Sequence, residues 1–114
     1  MTTSETEIVQ LLAYAFLQNA RPAKAAVLLA ALDAVAPGQR KVLRALALAQ
    51  TRCGKPELAL DTLDRVAVAG GIDAAFHLLR ARALIACERR IEAAASMSLC
   101  LAMHRPALRM GARP

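Results

Sequence analysis

The chain has 114 residues and a formal net charge of +6; 57% of its side chains are apolar, yet aromatics make up only 3%, with no Trp, one Tyr and two Phe. That length makes one domain, and a core built mainly from Ala and Leu excludes a strand-based fold, which needs β-branched and aromatic side chains. The apolar fraction exceeds what a lone small domain can hide, so part of the surface is expected to be covered by a partner.

Thr3 or Ser4 caps a first helix running to about Gln18, with Glu5 and Glu7 in the first turn, where the helix dipole favours them. The charge-free stretch Ile8 to Ala20 spans 13 residues and stops at Arg21, short of the roughly 20 that a bilayer span requires. The acidic start is unlike the basic first segment of a signal peptide, and a cytoplasmic protein is expected. Asn19 and Ala20 form a turn, and Pro22 sits where a second helix can start, to be ended by Pro37–Gly38. The third runs from about Gln39 to Cys53 and stops at Gly54, a left-handed cap. Pro56 starts the fourth, which ends before Gly70–Gly71, and Asp73 caps the fifth, which ends near Cys87. The sixth runs from about Arg90 to Met103 and stops before Pro106. One domain is therefore placed at 1–104, with 105–114 a basic, frayed tail. Six helices with short connections read as all-α, neighbours antiparallel.

Displaced by 34 residues, the chain overlays its own small side chains. Ala13, Ala47 and Ala81 coincide, as do Ala25, Ala59 and Ala93. So do Leu29, Leu63 and Met97, then Leu32, Val66 and Cys100, while Ala20, Gly54 and Glu88 share one turn. This interval is the length of the tetratricopeptide repeat (TPR), a helix–turn–helix unit. The expected fold is three TPR-like repeats, six antiparallel helices stacked as an α-solenoid. The first alanine of each unit lies where its two helices cross, and the second faces it. Bulk at either would push the axes beyond the usual separation of about 8–10 Å. The aromatic usual in the first helix of such repeats is replaced by Val9, Leu43 and His77.

Stacked helix pairs curve, with the first helix of each pair inside the curve. The inward positions are then Gln10, Tyr14 and Leu17; Lys41, Arg44, Leu48 and Arg52; and Leu78, Arg82 and Ile85. They make a trough with an apolar floor and a basic middle, suited to an amphipathic helix or extended peptide carrying carboxylates. Leu48, Leu78 and Ile85 fit a core role equally well. Residues 74–114 hold seven basic and two acidic side chains, against two and three in 1–39. Such a basic half suits an acidic protein, an anionic membrane surface or nucleic acid. The charges are spread over several helices without stacking aromatics, which argues against nucleic acid.

Catalysis finds no support in the residues. No His pair, acid pair or Cys–His set has metal-ligand spacing. Gly70–Gly71 lacks the Lys and Ser/Thr of a phosphate loop. Ser96 and Ser98 have no base in view, and Glu57, Asp61 and Asp64 read as the solvated side of the fourth helix. Cys53, Cys87 and Cys100 are odd in number and read as reduced structural thiols. His77 reads as a core imidazole, and His104 as a cation placed well for the end of the last helix. No cofactor or metal is expected.

The segments Phe16-Leu17, Ala20-Arg21-Pro22-Ala23-Lys24-Ala25, Leu28-Leu29 and Ala31-Leu32 to Pro37, with Leu78-Leu79-Arg80-Ala81-Arg82-Ala83-Leu84 in the third unit, resemble the small TPR chaperones of bacterial type III secretion systems. The resemblance covers about residues 8–103 and is nearest in length and layout to the YscY type. It implies a non-catalytic protein that holds a small secreted helical partner of the YscX type in a soluble complex and engages the cytoplasmic domain of the large export-gate protein. Without its partner, the chain is expected to be poorly soluble or self-associated. A needle-subunit chaperone of the YscG type is the sister reading, and a small nucleic-acid-binding helical protein is the reading from a different class.

Overall fold

The structure, a computed structural model, describes the backbone of residues 3–112 and the side chains of residues 4–103. Among the described residues there are six α-helices and no strand: α1 (Thr3–Gln18), α2 (Pro22–Val35), α3 (Arg40–Arg52), α4 (Pro56–Val68), α5 (Ala74–Ala86) and α6 (Arg90–Ala112). Pro22 and Pro56 open α2 and α4, where a missing N–H leaves nothing unsatisfied. The Asp73 carboxylate accepts the Phe76 N–H at 2.9 Å and caps α5.

The turn inside each pair closes with the same two hydrogen bonds. After α3, the Gly54 N–H donates to the Thr51 carbonyl and the Lys55 N–H to that of Gln50. One repeat earlier the donors are Ala20 and Arg21, the acceptors Leu17 and Phe16; one repeat later they are Glu88 and Arg89, Ile85 and Leu84. This Schellman closure requires a left-handed residue just past the helix. Gly54 adopts it freely at φ 85°, whereas Ala20 and Glu88 adopt it at 58° and 60°, each against a steric cost of about 1–2 kcal/mol.

The last helix departs from expectation. It runs through Pro106 to Ala112, past the stop at Met103, so the segment set apart as a frayed tail is helical as far as Ala112. Proline removes the bond to the carbonyl four residues back, here that of Ala102, and its ring crowds that carbonyl, which kinks a helix without always ending it. The side chain of His104 lies outside the described residues.

All six repeat alanines, Ala13, Ala25, Ala47, Ala59, Ala81 and Ala93, are between 0% and 4% exposed. Around them the apolar side chains form two clusters that share α3. Val42, Leu46 and Ala49 join Ala13, Leu17, Ala25, Leu29 and Leu32. Leu43 and Ala47, on another face of α3, join Ala59, Leu63, Val66, Phe76 and Ala83. Successive helices pack in order along the chain, and α3 also touches both α1 and α5. Among the described residues, α2 and α4 bring no Cα atoms within 8 Å of each other, nor do α4 and α6. The stack therefore bends towards its odd-numbered helices, which line the inside of the curve. The molecule is an α-solenoid of three TPR-like helix pairs.

Polar struts join one pair to the next. On the splayed side, Arg65 of α4 donates to both carboxylate oxygens of Asp33 on α2, at 2.6 and 3.0 Å, and Asp33 also accepts the Gly38 N–H at 3.2 Å. Arg40 and Arg44 of α3 donate to the carbonyls of Gly70 and Gly71 at 3.4 and 3.0 Å. Gly71 is required for space: a Cβ there would stand 2.7 Å from Val66 Cγ1 and 3.0 Å from Arg40 Cδ.

Candidate binding groove

Two adjoining cavities lie along the inside of the curve. One, of about 490 Å³, is lined by Tyr14, Leu17, Gln18, Leu48 and Arg52. The other, of about 370 Å³, is lined by Leu48, Thr51, Arg52, Arg82 and Ile85. Leu48 and Arg52 belong to both, so the two form one groove. Every lining side chain comes from α1, α3 or α5.

The repeat explains this arrangement. Tyr14, Leu48 and Arg82 occupy one position of the 34-residue period, and Leu17, Thr51 and Ile85 another. Equivalent positions on parallel helices of a stack form rows across it, so the groove is two such rows with Gln18 and Arg52 at its rim. Leu17 is buried, Tyr14 and Leu48 half-buried, and Ile85 exposed. Burial raises the Tyr14 phenol above its usual value, which keeps it protonated and able to donate a hydrogen bond at neutral pH.

Six of the ten residues expected to face inward, Tyr14, Leu17, Leu48, Arg52, Arg82 and Ile85, line this groove. The other four lie outside it. Gln10 is half-buried, and Lys41 and Leu78 are exposed. Of the three leucine and isoleucine positions that also fitted a core role, Leu48 is half-buried while Leu78 and Ile85 are exposed. Gln18 and Thr51 were not foreseen, although Gln18 lies one period before Arg52, and Thr51 lies one period from both Leu17 and Ile85.

Arg44 has a different task from the other arginines. Its Nη2 reaches the Asp73 carboxylate at 2.7 Å and the Gly71 carbonyl, tying α3 to the cap of α5. Its Nε is buried and finds no partner among the described residues. The Phe76 N–H, and then Arg44, hold the Asp73 carboxyl below the usual carboxylate range. The basic middle of the trough thus rests on Arg52 and Arg82. Neither pairs with a carboxylate among the described residues. Arg52 Nη1 approaches the Leu17 carbonyl at 3.5 Å, at the end of α1 where a cation suits the helix dipole.

The remaining reactive side chains are dispersed. His77 is buried on α5, edge-on to Phe76 with ring centroids 5.2 Å apart, in the place that Leu43 takes one repeat earlier. Buried Ser96 accepts from Arg80 at 2.9 Å, and Ser98 is exposed. Glu57, Asp61 and Asp64 are exposed on α4. Cys53 and Cys87 are half-buried and Cys100 buried, none in a disulfide; burial raises the Cys87 thiol, which keeps it protonated. Among the described residues, no group of three His, Cys, Asp or Glu could hold a metal ion. No helix among them is long and apolar enough to cross a membrane.

Compared with protein-family models and with curated proteins, the chain matches none.

Proposed function

We propose that this chain is a non-catalytic binding protein that holds a small helical partner in the groove formed by α1, α3 and α5. The observation that carries the reading is a groove of mixed lining, with Leu17, Leu48 and Ile85 as its aliphatic side chains and two arginines, Arg52 and Arg82, that no carboxylate of the described residues neutralises. The aliphatic part recognises an amphipathic helix or extended segment, and the cations select one with carboxylates at matching spacing. Taken with the resemblance of its repeat segments, the function is that of a type III secretion chaperone of the YscY type, acting in the bacterial cytoplasm. It keeps a small secreted YscX-like protein from aggregating and helps bring it to the cytoplasmic domain of the export gate.

Co-purification from the native host, with mass spectrometry of whatever stays bound, tests this reading. A small secreted helical protein is the expected companion. A needle subunit would shift the reading to the YscG type, and nucleic acid would overturn it. Salt separates the last case: a binder making about 6–10 phosphate contacts loses roughly 10³- to 10⁵-fold in affinity between 50 and 200 mM salt, whereas a groove with two arginines should lose less than about tenfold. Replacing Arg82 with Glu should weaken capture while leaving the melting temperature unchanged, and replacing Arg52 as well should abolish capture at the cost of a slightly lower melting temperature, because Arg52 also bonds the end of α1. Undiminished capture would place the site elsewhere.

A further inference from the structure

The 34-residue register reveals an unfinished interface at the start of the stack. On α3, Val42 and Leu46 are 2% and 4% exposed, packed with Leu29 and Leu32 of α2. Phe76, the counterpart of Val42 on α5, is 6% exposed, packed with Leu63 and Val66 of α4. The same positions on α1 are Ile8 and Leu12, and these stand 64% and 47% exposed, with Leu11 beside them. They stand at the interface positions of the repeat, and no helix among the described residues covers them. Terminal repeats are ordinarily polar on the outer face, but here the apolar surface continues into a cavity of about 410 Å³ that Leu12 shares with Phe16, Ala23, Val27, Leu28 and one cation, Lys24, which lies over the Phe16 ring.

The other end of the stack is unfinished in the complementary sense. Leu60 and Ala67 of α4 are half-buried against the cluster that holds Phe76 and Ala83 of α5. Their counterparts on α6, Ala94 and Leu101, are exposed. Among the described residues, no helix covers the α1 face or the α6 face. The charges match as well. Residues 1–20 carry two carboxylates, Glu5 and Glu7, and no cation; residues 89–114 carry five arginines and one carboxylate, Glu92.

We propose that copies of this chain stack head to tail, the α1 face of one (Ile8, Leu11, Leu12) against the α6 face of the next (Ala94, Leu101), continuing the repeat register across the chain boundary. Such a contact is heterologous, so each copy keeps one free head and one free tail and association does not stop at two. The surface is separate from the groove side chains, so the inference stands independently of what the groove binds.

Sedimentation velocity of the full chain over a wide concentration range is the test, with two blocked variants. The weight-average mass should climb past that of a dimer as concentration rises, and less so at high salt. A head-blocked chain (Ile8→Glu with Leu12→Glu) and a tail-blocked chain (Leu101→Glu) should each be monomeric. Mixed in equal amounts, they should form a dimer and nothing larger, because one intact head meets one intact tail. These positions are exposed, so melting should be unchanged; Leu11→Glu serves as the head block if the first variant melts early. A wild-type chain that stays monomeric would overturn the proposal and leave the face to a different protein's helix. Growth that ends at a dimer indifferent to Leu101→Glu would replace it with symmetric α1 pairing. Blocked chains that fail to combine would also refute it.

Discussion

In the middle pair, α3 is covered on two flanks: Val42 and Leu46 meet α2, while Leu43 and Ala47 meet the cluster built from α4 and α5. In the first pair, α1 repeats the pattern but is covered on one side only. Ala13 and Leu17 are buried, and Ile8 and Leu12 face out. Side chains of equal character are thus core or surface according to where the helix stands in the stack. In a solenoid, burial belongs to the interface between units, and a unit's own sequence supplies only half of each interface.

The crossing alanines are where this comparison breaks most visibly. Replacing Ala47 or Ala59 with Leu forces bulk between axes held together by these small side chains, and should destabilise the fold by about 1–3 kcal/mol. The same change at exposed Ala31 of α2 should cost less than about 0.5 kcal/mol in urea unfolding. Equal melting of all three variants would break the packing register.

Next in size is the strut between the first and second pairs. Asp33→Asn should lose about 1 kcal/mol, and its pH dependence identifies the cause. The hydrogen bond from Arg65 holds the Asp33 carboxyl below its ordinary value. A group with a depressed folded pKa contributes fully above the unfolded value of about 3.9 and loses that contribution as pH falls through the folded value. Wild-type stability should therefore drop more steeply than that of the variant below about pH 4. Parallel curves would show that the pair is not coupled to folding.

The three intra-pair turns sharpen the comparison further, since they share hydrogen bonds but not residues. Ala20→Gly and Glu88→Gly should each stabilise by about 0.5–1 kcal/mol, and Gly54→Ala should cost about 1 kcal/mol. Thermal melting that ignores all three would mean the left-handed turns bear no strain. Smallest of all should be Arg82→Leu, which leaves stability within about 0.5 kcal/mol. Arg44→Ala should cost more, because it removes both the ion pair to Asp73 and the hydrogen bond to the Gly71 carbonyl that tie α3 to the cap of α5.

Features governed by local chemistry were legible in the chain. Pro22, Pro56 and Asp73 start helices and Gly54 ends one because each acts on its immediate neighbours. The period likewise placed most of the groove, since equal spacing on stacked helices makes rows. Other features depend on distances that no period encodes. Arg44 sits in register with the groove, yet it is drawn to Asp73, 29 residues away, by a turn whose position only the packed fold defines. Pro106 reads as a stop, but whether one lost hydrogen bond ends a helix depends on its surroundings.

Among the described residues, most pairs of touching helices are adjacent along the chain, and α1 with α3 and α3 with α5 skip a single neighbour. Chains with such short-range topology close small loops and fold in microseconds to milliseconds, faster than a ribosome adds one residue at about 5–20 per second. The nascent polypeptide can therefore set its first hairpin before the last is translated. Its growing tip always shows one half-made seam, until the next hairpin emerges to close it.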